Sequence, residues 1–218
     1  MSASPIKHDY AEAYREMREG VLYQFIAWIL LGIGITYVFT LTIGSSFAGF
    51  HHMVTENFGL GMLALVPLAI FLLIGAIISL IGLWGKFIPG VKKLANVNPE
   101  FSTSSTFVNL GLFWGTLLML IGALTIMIVV GVFIMMISFI LIILGYIGIL
   151  LLCFKLNDFE KNSLYLAAGI LFLIGIIFPI LDFVAWILLY IALGESLRKA
   201  NSQATQIPPF TPSPQPSA

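Results

Sequence analysis

Charge is what this 218-residue chain has least of: Asp, Glu, Lys and Arg make up 9% of it, against 60% hydrophobic residues. Soluble domains carry roughly a quarter charged residues, so this is not the composition of a water-soluble fold. Cysteine is nearly absent too. The one cysteine, Cys153, excludes an intrachain disulfide and any cysteine-built zinc or iron–sulfur site. It lies in an apolar run and reads as a small buried residue. Histidine is limited to His8, His51 and His52, none inside a long apolar run, which leaves no haem or copper site within a span. There is no Walker motif, no HExxH and no Ser/His/Asp set, so nothing supports an enzyme. The formal net charge is zero, so bulk charge offers no attraction for nucleic acid. No cofactor is indicated.

What remains is patterned by position. The ten Lys and Arg residues fall in four clusters: Lys7, Arg15 and Arg18; Lys86, Lys92 and Lys93; Lys155 and Lys161; Arg198 and Lys199. Between them run long, almost uncharged stretches that read as membrane spans. The first apolar run begins at Val21 and is too long for the h-region of a signal peptide.

The expected organisation is a cytoplasmic amphipathic segment over 1–20, a transmembrane helical domain over 21–199 and a disordered Pro-rich tail over 200–218. In the first segment Tyr10, Tyr14, Met17 and Val21 form one apolar stripe at helical spacing. That stripe suits a helix lying on the membrane surface, or a solvated lead-in. Spans are expected over 21–43 and 59–84, the second kinked at Pro67. Residues 85–106 read as a basic loop whose FSTSST end caps a helix starting near Phe107. Residues 101–154 carry no charge. A single helix over 107–154 would measure roughly 70 Å, more than twice a bilayer core of about 30 Å. It must fold back, with the turn expected near 128–131 and spans over 107–127 and 132–153.

The last apolar region contains Pro179 and Asp182. Two readings are open. A hairpin of 162–178 and 183–198 keeps every Lys and Arg on one side of the membrane; a single broken helix sends Arg198 and Lys199 across. The charge rule favours the hairpin. The fold class is therefore all-α, a polytopic transmembrane bundle of six spans as three hairpins, with five spans as the alternative and both termini cytoplasmic.

Few residues carry chemistry. Asp182 is the one carboxylate inside the last apolar region, and such groups mark functional sites by default. It reads either as a proton or cation site beside a helix break at Pro179, or as the N-cap of a final helix in an outer turn. His51, His52 and Glu56 form a weak metal candidate in the 44–58 loop. Their ordinary reading is a solvated loop that senses pH by histidine protonation. Gly75 and Gly82 sit a heptad apart, and Gly111, Gly115 and Gly122 share one side of the third span. Such faces let helices pack closely, within one bundle or between copies. Thr40, Thr42, Thr116 and Thr125 are the remaining candidates for a polar lining.

Two stretches are more specific. NPEFSTSSTFVNLGLFWGTLLMLIGA, at 98–123, resembles the middle of a family of uncharacterised multi-pass membrane proteins of thermoacidophilic archaea, a domain of unknown function. That family shows Phe-Ser-Thr-Pro-Ser-Thr before a span, and Ser104 here replaces the proline. The ending over 168–194 is also similar to the family's last apolar region. The resemblance implies an archaeal plasma membrane and no known activity or site. The expected function is a non-enzymatic structural or accessory component of a membrane complex. A small transporter or channel using Asp182 is the alternative, and a sensor using His51 and His52 a third. The expected partners are the lipid bilayer, other membrane subunits or a second copy of the chain, and no nucleic acid.

Overall fold

The computed structural model describes residues 5–47, 57–125 and 129–205, with side chains described over most of that range. Among the described residues every element is helical. Helix α1 spans Pro5–Phe47 and α2 Asn57–Gly82. A π-helical turn, Leu83–Phe87, leads without a break into α3, Ile88–Val97. A short 3-10 turn, Pro99–Phe101, opens α4, Ser102–Val108. A second π-helical turn, Asn109–Trp114, leads into α5, Gly115–Leu124. Then come α6, Val129–Glu160, α7, Ser163–Gly175, and α8, Pro179–Thr205. Five stretches are long and apolar enough to cross a membrane: Asp9–Thr40, Val66–Val97, Pro99–Leu124, Val129–Glu160 and Pro179–Ser202. α7 is apolar but shorter, at 13 residues.

The bundle is three antiparallel hairpins. In α1–α2, Gly20 lies against Phe87 and Gly82, and Gly34 against Leu68 and Phe71. In α5–α6, Gly111 faces Gly145 and Gly122 faces Met135. In α7–α8, Asn162 pairs with Glu195 and Gly175 with Asp182. The last apolar region is thus the hairpin, not one broken helix. The fold-back of the long charge-free run lies between Leu124 and Val129, slightly ahead of the expected place.

Three local expectations are corrected. The basic segment over 85–106 is helical rather than a loop, because Val91 and Leu94 give α3 an apolar face that buries against α1. The helix after it starts before Phe107. Its cap is the Asn98 side chain, which accepts from Glu100 N–H at 3.0 Å, while Ser104 and Ser105 are buried inside α4. The stripe of Tyr14, Met17 and Val21 packs on protein, not on a lipid surface, since all three are at most 1% exposed. α2 runs through Pro67 as one helix.

Every described Lys and Arg side chain lies at one end of the bundle, where α1, α7 and α4 begin and α3, α6 and α8 finish. Tyr14 donates to Glu160 at 2.6 Å, Lys86 pairs with Glu19 at 2.6 Å, and Lys93 with Glu12 and Glu16 at 2.6 and 2.7 Å. Lys155 donates to the Glu100 carbonyl, and the Arg18 guanidinium lies 4.3 Å from the Tyr190 ring centre. Between α6 and α7 the chain turns at Lys161, in the left-handed region at φ 53°. Asn162 then accepts from Leu164 N–H and donates to Glu195 at 2.7 Å, tying the start of α7 to α8. Most of the fully buried large side chains belong to this end, including Tyr14, Leu94, Phe101, Leu156, Tyr165 and Leu193.

The other end is open. α7 rises only about 20 Å, short of a bilayer core of about 30 Å. The tip of its hairpin is level with Trp28 of α1 and Tyr146 of α6, through the Trp28–Phe183 and Tyr146–Phe172 ring contacts. α1 runs roughly 28 Å past Trp28, and α6 begins roughly 25 Å before Tyr146. Beyond the tip, α1–α2 and α5–α6 make little or no contact with each other among the described residues. They meet lower down through their π-helical turns, where Trp84 donates to Thr116 and packs at a tilt against the Phe113 ring.

Candidate functional site

The short hairpin decides where Asp182 goes. α7 ends at Gly175, and the chain reverses through Ile177 and Phe178, whose N–H groups both bond to the Ile174 carbonyl at 3.0 Å. Pro179 then begins α8, a position that needs no N–H donor. A Cβ on Gly175 would stand 2.8 Å from the Asp182 nitrogen, so only glycine lets the two helices cross here. Asp182 falls within the first turn of α8, not at its cap. A carboxylate there is favoured by the helix dipole.

Its side chain points into the bundle. Asp182 is 4% exposed. Oδ2 accepts from the Trp186 indole N–H, one turn on, at 3.1 Å. The Tyr146 hydroxyl and the Trp28 indole also face the carboxyl, yet Oδ1 completes no hydrogen bond. An unpaired buried polar atom is costly.

Around it lies a cavity of about 360 Å³. α1 supplies Gln24, Trp28 and Leu31, and α2 supplies Phe71, Gly75 and Ser79. The opposite wall is Leu112, Thr116, Ile142 and Tyr146, and α8 closes it with Asp182 and Trp186. Gln24 and Ser79 satisfy each other: the amide donates to the Ser79 carbonyl at 2.9 Å and the hydroxyl donates back at 2.8 Å. Thr116 accepts from Trp84 at 3.0 Å and donates to the Leu112 carbonyl. Ser138 donates to the Gly115 carbonyl at 2.7 Å, just past the second π-helical turn. Both π turns adjoin the cavity through Leu83 and Leu112, and such turns recur at functional sites. Among the described residues Asp182 is the one acidic side chain on these walls, and no Lys, Arg or His lines them.

The other sequence candidates divide clearly. Pro179 is exposed and forms no wall of the cavity. Thr116 reaches the site, whereas Thr40 and Thr125 bond to carbonyls of their own helices elsewhere. The Thr42 side chain, His51, His52 and Glu56 lie outside the described residues. Among the described residues no group of three His, Cys, Asp or Glu is placed to hold a metal. Cys153 is buried. Gly75, Gly82, Gly111, Gly115 and Gly122 all sit at crossings within the chain, facing Ala27, Tyr23, Gly145, Ile142 and Met135. At Gly111 a Cβ would collide with the Gly145 backbone.

Sequence reasoning missed Gln24, Trp28, Ser79, Tyr146 and Trp186. Two signals were present. Gln24 is an amide near the start of the first apolar run, and Trp186 is one helical turn from Asp182. That Tyr146 and Trp28 converge on the same carboxyl depends on three helix crossings, which no local pattern encodes.

No curated protein and no solved structure matches the chain. Residues 11–218 match the family model described as "Protein of unknown function (DUF973)", and the chain therefore belongs to that family.

Proposed function

We propose that this is a non-enzymatic, multi-pass membrane protein that binds and moves a proton or cation through the Asp182 cavity. The observation that supports the reading is the Asp182 carboxyl itself: 4% exposed, one oxygen unpartnered, facing a cavity of about 360 Å³ in an apolar bundle. Intramembrane carboxylates of this kind form relays and ion sites. Both termini are read as cytoplasmic, because the described Lys and Arg gather at one end and the positive-inside rule assigns that end. The archaeal plasma membrane is read from the resemblance over 98–123 and 168–194.

The experiment is flux in proteoliposomes. Protein reconstituted with a pH gradient and an internal pH dye dissipates the gradient, and Asp182→Asn abolishes that flux. Equal flux for wild type and Asp182→Asn, both monodisperse, would sink the reading.

A second reading, an accessory subunit of a larger complex, draws on the gap between the long hairpins. Its apolar lining, such as Leu72 at 45% exposed, suits a partner helix as well as lipid. Stoichiometric co-purification with another membrane protein, together with tolerance of Asp182→Asn, is what that reading expects.

A further inference from the structure

We propose that the ligand of this cavity is a lipophilic organic cation, taken up in exchange for the proton of Asp182; the inference rests on the binding reading above. The walls select among ligand classes. Among the described residues no basic side chain lines them, so an anion finds no counter-charge there. A hard metal cation wants six or more oxygen ligands, and this cavity offers one carboxylate among mostly apolar walls. Its volume of about 360 Å³ exceeds any single ion and falls in the usual range of small-molecule sites, about 300–1,000 Å³.

What the cavity does offer is aromatic rings beside a carboxyl group. Trp28 comes from α1, Tyr146 from α6 and Trp186 from α8, and Phe71 adds a fourth ring from α2. Trp186 is held by edge contacts to Phe172 and Phe87, with ring centres 4.8 and 5.5 Å away. Rings and a carboxylate together are the recognition chemistry of alkylated ammonium groups. The remaining walls, such as Leu31, Leu112 and Ile142, suit the hydrocarbon part of the ligand.

The same geometry couples the ligand to protons. An ionised Asp182 in this setting needs a positive partner. A bound cation supplies it, and in the cation's absence a proton does. Trp28 on α1, Tyr146 on α6 and Trp186 on α8 face Asp182, Gly175 on α7 packs against it, and Gln24 on α1, Ser79 on α2 and Thr116 on α5 share its cavity. Tyr146 is the one other titratable group among them, and none carries a positive charge that would compete for Asp182.

The test is calorimetry on the full-length protein in nanodiscs with benzyltrimethylammonium and its neutral isostere neopentylbenzene. The expected result is cation binding that weakens as pH falls, with one proton released per cation, read from the dependence of heat on buffer. Asp182→Asn should weaken the cation at least about thirtyfold while leaving neopentylbenzene unchanged, which also reports that the variant is folded. Trp28→Leu should weaken the cation about fivefold and spare the isostere, so the proposal stays testable if Asp182→Asn does not fold. Proton flux that needs Asp182, with no benzyltrimethylammonium binding, would overturn this inference and leave the transport reading standing. Flux and cation binding both indifferent to Asp182→Asn would overturn both.

Discussion

The two ends of this bundle are built by different physics. At the charged end Tyr14, Leu94, Phe101, Leu156 and Leu193 are fully or almost fully buried, and salt bridges and side-chain hydrogen bonds lace the rim. At the open end Leu73, Phe133 and Ile140 are more than 60% exposed. Near water, burying an apolar side chain is driven by the hydrophobic effect, at roughly 1.5–3 kcal/mol for a large one. Inside a bilayer the surroundings are as apolar as the protein, so helices associate through close packing of small residues instead. That is why the open end keeps its hairpins through Gly111, Gly115 and Gly122 while its two hairpins stay apart from each other. The cavity sits where the first regime gives way to the second, which leaves a polar group buried but not tightly enclosed.

The largest effect is expected at Gly111, packed against the Gly145 backbone. Leucine there must push the second π-helical turn and the α6 backbone apart, and the expected loss is about 3 kcal/mol or more, read as loss of monodisperse protein in size-exclusion chromatography. Gly32→Leu is the matched control. Nothing lies within 4 Å of a Cβ at Gly32, so that variant should behave as wild type. Next in size is the contrast of two phenylalanines. Phe101→Ala, at 0% exposed, should cost about 3–5 kcal/mol. Phe133→Ala, 62% exposed, should change stability by less than about 0.5 kcal/mol in the same detergent melts.

Asp182→Asn sharpens the comparison from the other side. It replaces a buried carboxyl that has no basic partner with a neutral amide, so the variant's melting temperature should equal or exceed that of wild type while the proposed flux is lost. A clear drop in melting temperature would assign Asp182 a structural role. A modest gain is expected at Lys161, whose φ of 53° suits glycine. Lys161→Gly should gain about 1 kcal/mol, read as a rise in melting temperature.

Much of this fold was legible because its causes are local. The charge clusters mark the ends of helices, and the uncharged run over 101–154 is too long to cross once. The hairpin at the C-terminus followed from keeping Arg198 and Lys199 with the other cations. What escaped was how far each hairpin reaches. α7 has 13 residues, so its turn stops part-way up the long helices. An outer turn and an intramembrane carboxylate looked like alternatives in the sequence; a short hairpin places the turn, and Asp182 with it, part-way along the long helices. The basic segment over 85–106 was misread for a related reason. Lys86, Lys92 and Lys93 suggest a loop, but Val91 and Leu94 fall on one face and bury it against α1. The site was legible only at Asp182, because its other polar groups come from separate helices.

The long hairpins stand apart beyond the α7–α8 tip, so the Asp182 cavity is expected to be reached from that end of the bundle, where the sequence has no Lys or Arg. That access is tested most directly by a cysteine at Ala76, on the cavity wall, in a Cys153→Ser background, probed with an impermeant cationic thiosulfonate in sealed proteoliposomes. A second cysteine at Ser202, exposed at the charged end, fixes orientation. The account predicts that Ala76→Cys reacts only when the reagent is on the side opposite Ser202→Cys. Reaction from the Ser202 side, or no reaction from either, would contradict it.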